Sequence, residues 1–208
     1  MKREHILRTA TDLFTRYGIK GISMDMISGS LHISKKTLYD YFSDKNELVR
    51  ECMKSQTVSY KERVVRAEAE AESLLDAVFM LNMELYRQSV KWSPAFFRDM
   101  EQYPEAVGVY EEYVSWVREK YVQLLTKGTD EGLFRSNTDQ NVIINFFREQ
   151  LKNAGEKQYS DDMEQPDIYA MTILTFLSGI ATDKGRREID SYIPKQFRSY
   201  NYKIKNHG

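Results

Sequence analysis

Ser34, Lys35, Lys36, Thr37, Tyr39 and Tyr41 fall within eight consecutive residues. They supply two cations and four hydroxyls, all able to donate hydrogen bonds. Such a set suits the phosphate oxygens and base edges of a DNA groove. Serine is a favoured helix N-cap, so Ser34 can open a helix whose first turns carry these groups outward. That is the form in which a short helix enters a major groove. Residue type alone leaves open which of Lys35 and Lys36 meets a base and which a phosphate. Tyr39 and Tyr41 could pack in part while presenting their hydroxyls outward. Asp40 could accept from cytosine N4, but an acid there is expected to face solvent or a lysine.

Other chemistry has little to stand on. His5, His32 and His207 are scattered without metal-ligand spacing, so no metal or cofactor is expected. The single cysteine, Cys52, sits on an apolar helical face and is expected to be a buried thiol rather than a nucleophile. There is no phosphate-cradling glycine loop, no nucleophile elbow and no defensible pair of catalytic carboxylates. The chain is not expected to be an enzyme.

The elements that must position Ser34–Tyr41 are helices. Ile6, Leu7, Ala10, Leu13, Phe14 and Tyr17 recur at helical spacing, and Gly18 follows where a left-handed C-cap is wanted. Ser23 caps a second short helix, with Met26, Ile27 and Leu31 on its apolar side. His32 stands in the turn before Ser34. Ser43 is expected to cap a fourth helix with Asn46 at the third position, running through Leu48, Cys52 and Met53 to about residue 72. Beyond Leu74 the chain is richer in Met and aromatic residues. Helical patterns start at Leu74, Pro94, Pro104, Asp139 and Pro166, with Gly128 and Gly132 ending the third of these. The polar stretch 155–165 is expected to be a loop, 186–202 is mixed, and the basic tail 203–208 is expected to be loose. No segment alternates with the period of a strand.

The fold class is therefore all-α: a three-helix helix-turn-helix head over residues 1–50, a fourth helix continuing as connector to about 72, and a helical body over 73–208. Residues 1–50 hold nine Lys and Arg against six Asp and Glu, a net +3, within a chain of 208 residues and net charge −1. A basic head on an acidic body fits local phosphate contact without general affinity for polyanions. The lone cysteine, the lack of an apolar run of about 20 residues and an N-terminus that enters directly into an amphipathic pattern point to the cytoplasm and away from a membrane.

The run Ile-Leu-Arg-Thr-Ala-Thr-Asp-Leu-Phe-Thr-Arg-Tyr-Gly at 6–18 resembles the first helix of TetR-family transcriptional regulators. Ile33-Ser-Lys-Lys-Thr-Leu-Tyr-Asp-Tyr-Phe-Ser-Asp-Lys-Asn-Glu-Leu48 resembles that family's recognition helix and the start of its fourth helix. The resemblance covers about the first fifty residues. It implies that Ser34, Lys35, Lys36 and Thr37 lie at the groove-entering end of helix three. It further implies that Tyr39 and Tyr41 are a phosphate-contacting aromatic pair, that Lys45 binds phosphate, and that Ser23 stands where the family favours Thr. His32 replaces the usual turn glycine, which implies a positive φ that histidine tolerates better than most residues, and Ser28 and Gly29 replace a more alanine-rich face.

The resemblance also implies a homodimer, a double-stranded operator with two-fold symmetry and a small, mostly apolar effector, with repression as the family's usual output. Phe79, Met83, Tyr86, Phe97, Met100, Tyr110, Tyr113 and Trp116 are the candidate effector contacts, being large and soft. Phe146, Phe147, Leu151, Met171, Leu174, Thr175 and Ser178 are the candidate dimer surface, mixing large and small residues suited to close helix packing. The alternative reading is an all-α protein-binding or scaffold module whose head has lost its DNA function.

Overall fold

The computed structural model describes residues 3–154 and 165–192. Within them the helices are α1 (Arg3–Tyr17), α2 (Met24–Ser30), α3 (Lys35–Tyr41), α4 (Lys45–Glu70), α5 (Leu74–Ser89), α6 (Pro94–Met100), α7 (Pro104–Asp130), α8 (Gln140–Ala154) and α9 (Gln165–Ile180). Residues 183–192 are helical as well. The described residues contain no strand, only an isolated bridge between Phe134 and Ala181. Of the expected loop at 155–165, residues 155–164 lie outside the described residues, as does the tail 203–208, while Gln165 opens α9.

The chain divides into two compact units, one made of Met1–Val65 and Arg87–Val117, the other of Arg66–Tyr86 and Arg118–Gly208. Residues 87–117, expected from the sequence to belong to the body, thus group with the N-terminal segment.

In the first unit α1 packs on α2 and α6, and α2 on α3. Ile6, Ala10 and Phe14 of α1, Ile27 of α2, Leu38 of α3 and Leu48 of α4 are all fully buried. Each of the Ile, Leu and Phe side chains contributes about 1.5–3 kcal/mol relative to exposure, and the Ala10 methyl less. Two residues expected inside are not: Tyr17 is 63% and Met26 50% exposed. Met24 and Ser28 are buried beside Ile27 in their place. A helix of seven residues has too few turns for its inward face to be read from spacing alone.

Local chemistry sets the helix ends. Gly18 takes φ +77 and donates from its N–H to Phe14 O, and His32 takes φ +53 in the α2–α3 turn. Ser23 Oγ accepts from Met26 N, and Ser34 Oγ accepts from Thr37 N at 3.0 Å. The start of α4 differs from expectation by one residue. Asp44 Oδ1 accepts from Glu47 N at 2.8 Å, and the Glu47 carboxylate accepts from both the N–H and the hydroxyl of Ser43. Asp44 is therefore the N-cap, because a carboxylate reaches the helix donors as well as serine does, while the Glu47 carboxylate reaches back one residue further, to Ser43.

In the second unit the core is built from α5, α7, α8 and α9. Val78, Leu125, Phe147, Ile173 and Leu177 are almost wholly buried there. Asn82 lies among them at 0% exposure, donating from Nδ2 to Val78 O and accepting from Tyr121 Oη at 2.8 Å. Gly128, expected as a helix end, sits inside α7. A Cβ there would lie 2.4 Å from the Phe134 ring, so glycine is what lets that ring close on the helix.

Candidate nucleic-acid interface

The α2–turn–α3 segment places most of the head residues singled out from the sequence on its surface. Ser34, Lys35 and Lys36 are exposed, as are Tyr39 at 48% and Tyr41 at 37%, while Thr37 is half-buried. Leu38 is fully buried between them, so α3 is held by its apolar residue and leaves its polar ones outward. Asp40 faces outward too. Ser23 is exposed at the start of α2.

Several of these groups already have partners. The hydroxyls of Ser34 and Thr37 lie 2.8 Å apart, so each spends capacity on the other. Lys35 Nζ donates to Asp25 Oδ2 at 2.5 Å across the α2–α3 pair. Lys45 is half-buried, and its Nζ donates to Ile19 O at 2.7 Å. Burial lowers its pKa below the ordinary lysine value, opposed by the negative charge of Asp99. An ammonium has three donors, so one bond to Ile19 leaves the charge able to serve a phosphate as well.

Asp99 was not visible from the sequence as part of this head. It lies on α6, and its Oδ2 accepts from Lys20 N at 2.7 Å, a contact 79 residues apart. No local signal marks a contact at that separation. Asp25 escaped for a similar reason, since its pairing with Lys35 depends on how α2 and α3 cross.

The aromatic residues named as effector contacts separate between the units. In the first unit Phe97, Tyr110, Tyr113 and Trp116 form a chain of ring contacts with centroids 5.5, 6.4 and 6.2 Å apart. Met100 is buried in the same unit. Tyr60 and Trp92, missed from the sequence, join this cluster; Trp92 Nε1 donates to Tyr60 Oη at 2.7 Å. Burial raises the Tyr110 phenol above its ordinary value. In the second unit Phe79, Met83 and Tyr86 are buried, with Phe79 edge-on to Tyr192 and Tyr86 stacked on Tyr169.

Of the candidate dimer residues, Phe147 and Leu174 are buried within the chain itself. Phe146, Leu151 and Ser178 are half-buried, and Met171 and Thr175 are exposed. Phe146 stacks on Phe176 at 3.8 Å, and Val142 is 60% exposed on the same helix as Phe146. No helix among the described residues is long and apolar enough to cross a membrane.

Residues 6–52 match the family of bacterial regulatory proteins, tetR family. Across 156 residues, 71% of this chain and 76% of the relative, the sequence is 24% identical to the HTH-type transcriptional repressor KstR2 of Mycobacterium tuberculosis. This chain's N-terminal segment, residues 6–52, is that of the tetR family. TetR-family proteins are regulators rather than enzymes. The TetR-type segment is also 30% identical over 66 residues to the uncharacterized HTH-type transcriptional regulator YhgD of Bacillus subtilis, a match spanning 35% of that protein. The fold of the chain superposes on the solved structure of the ketosteroid transcriptional regulator KstR2 with a TM-score of 0.69 at 18% identity, covering 88% of this chain and 96% of that one. It also superposes with a TM-score of 0.69 on a transcriptional regulator from Saccharomonospora viridis solved in complex with choline, at 16% identity over 86% of this chain and 97% of that one.

Proposed function

We propose that this TetR-family chain binds a specific DNA duplex through α2 and α3 and regulates transcription, most simply as a repressor in the cytoplasm. The observation that carries the reading is the short capped helix α3, which buries Leu38 and turns Lys36, Tyr39 and Tyr41 outward. Ser34, Lys35 and Thr37 line the end that enters the major groove. Ser23 and Lys45 meet phosphates at its edge, where helix N-termini and lysines offer donors without reading sequence. A homodimer would set two such helices about 34–36 Å apart on a roughly palindromic operator. The exposed residues of α8 and α9, Met171, Thr175 and Val142, with the half-buried Phe146, Leu151 and Ser178, supply the surface for that pairing.

The same reading includes a small, mostly apolar effector. Its support is the ring cluster of Phe97, Tyr110, Tyr113 and Trp116, together with a relative of the same fold solved with a small molecule bound. An effector that prefers one spacing of the paired heads would change operator affinity by that preference and no more.

Selection of bound duplexes from a random pool tests the proposal. A recurring two-fold motif is expected, with affinity falling as salt rises because lysine–phosphate contacts release counterions. No preferred duplex at any salt concentration overturns it and leaves the protein-binding reading in its place.

A further inference from the structure

We propose that Asp99 is a positioning residue for DNA binding, holding Lys45 and the α1–α2 turn in place through the single peptide unit that joins Ile19 to Lys20. The inference rests on the DNA-binding reading above and adds a residue outside the segment matched by the family. The oxygen of that peptide unit, Ile19 O, accepts from Lys45 Nζ at 2.7 Å. Its other end, Lys20 N, donates to Asp99 Oδ2 at 2.7 Å. A cation therefore sits at the negative end of one amide dipole and an anion at its positive end. Asp99 is buried and Lys45 half-buried, so each charge-assisted bond polarises the amide in the sense that strengthens the other.

The backbone is shaped to admit this arrangement. Gly18 precedes the bridged peptide at φ +77, and a Cβ on it would lie 2.8 Å from Asp99 Oδ2 and 3.2 Å from Ala95 Cβ. Glycine is thus what lets α6 approach the turn. A second tie fixes the start of α6, where Ser93 N donates to Thr15 O at 3.0 Å. The bridged turn then leads directly into α2, since Ile22 N also donates to Ile19 O and Ser23 caps the helix. A shift of Asp99 would thus be felt at two places proposed to touch phosphate, the Lys45 ammonium and the N-terminus of α2.

The test is a double-mutant cycle on the full chain, using Asp99→Ala, Asp99→Asn, Lys45→Met and the combinations. Affinity is measured for the duplex selected by the wild type, and exchange of the Lys20 amide is measured in the free protein. Asp99→Ala is expected to weaken DNA binding roughly tenfold, the scale of one charge-assisted hydrogen bond, and to speed Lys20 exchange. Asp99→Asn keeps an acceptor for Lys20 N, so it should restore slow exchange and part of the affinity; it carries the cycle if Asp99→Ala does not fold. In the Lys45→Met background the loss on changing Asp99 should shrink to about twofold or less, because the two residues act as a unit. Equal losses in both backgrounds, wild-type affinity in Asp99→Ala, or unchanged Lys20 exchange would overturn the proposal. A wild-type chain that selects no duplex overturns the DNA-binding reading and this inference with it, whereas equal losses on a duplex the wild type does bind overturn this inference alone.

Discussion

The ammonium of Lys35 lies 2.5 Å from the carboxylate of Asp25, tying the first residue of α3 to the first turn of α2. The two side chains are 63% and 58% exposed, so water and salt screen the pair heavily. The bond nonetheless competes with any DNA group that would engage the same ammonium. Asp25→Asn should therefore tighten DNA binding, at most about fivefold given what exposed pairs are worth, and the gain should fade at high salt. Weaker binding by Asp25→Asn in fluorescence anisotropy would show that Asp25 orders Lys35 for DNA rather than withholding it.

Lys45 and Lys36 should separate in behaviour. A phosphate contact carries no sequence information, so Lys45→Ala should weaken binding to all duplexes by a similar factor and reduce the salt slope by about one. Lys36→Ala or Thr37→Val should also change which duplexes are preferred. Binding profiles over a panel of single-base operator variants would distinguish a parallel shift from a re-ordered one; an unchanged Lys45→Ala profile and affinity would remove that lysine from the interface.

Gly18→Ala should destabilise the head by roughly 1–3 kcal/mol. Two causes add: a non-glycine residue is strained at φ +77, and its Cβ would meet Asp99 Oδ2 at 2.8 Å. Urea unfolding followed by far-ultraviolet dichroism measures the loss, and an unchanged midpoint would mean that the turn can relax away from α6.

The Cys52 thiol should be silent in the folded protein. It is 3% exposed, and burial pushes its pKa up to about 12. Thiolate is the reactive form, so a disulfide reagent at pH 8 should label it only at the rate at which the chain opens. Fast stoichiometric labelling without denaturant would contradict its buried position.

Acid should weaken the tie between α1 and α4. Arg3 donates to Glu51 at 2.6 Å and holds that carboxyl below its ordinary value of 4.5. A carboxyl depressed in the folded state adds stability above its unfolded pKa and loses it as pH falls through the folded value. The contribution is at most about 1 kcal/mol, because the Arg3 side chain is 45% exposed and solvent screens the pair from that side. Glu51→Gln should lower stability at pH 7 but flatten its decline below pH 4.5, as read from melting temperature against pH; an identical acid profile would assign the decline to other carboxylates.

The head was legible because its signals are local. Serine caps at positions 23 and 34, glycine and histidine at the two positive-φ turns, and apolar spacing in α1 each act within one or two turns of chain. The start of α4 was misread by one residue because Ser43 and Asp44 are both good caps, and only the reach of Glu47 chooses between them. The body was less legible. Helical spacing marks an apolar stripe but not what the stripe meets. That is why Phe147 and Leu174 could be read as dimer surface though both are buried within the chain.

By itself, the order of residues determined an all-α chain with a capped, outward-charged third helix, since propensity, capping and short-range periodicity need no partner from elsewhere. Tertiary structure alone decided that α6 reaches back to the α1–α2 turn, that Lys45 and Asp99 grip one peptide unit from opposite ends, and that Lys35 is engaged by Asp25. Contacts such as these join residues 10, 26 and 79 positions apart. No rule of local spacing selects them, because a cation or carboxylate on a helix surface can pair with whichever backbone or side chain the packing of the helices brings within reach.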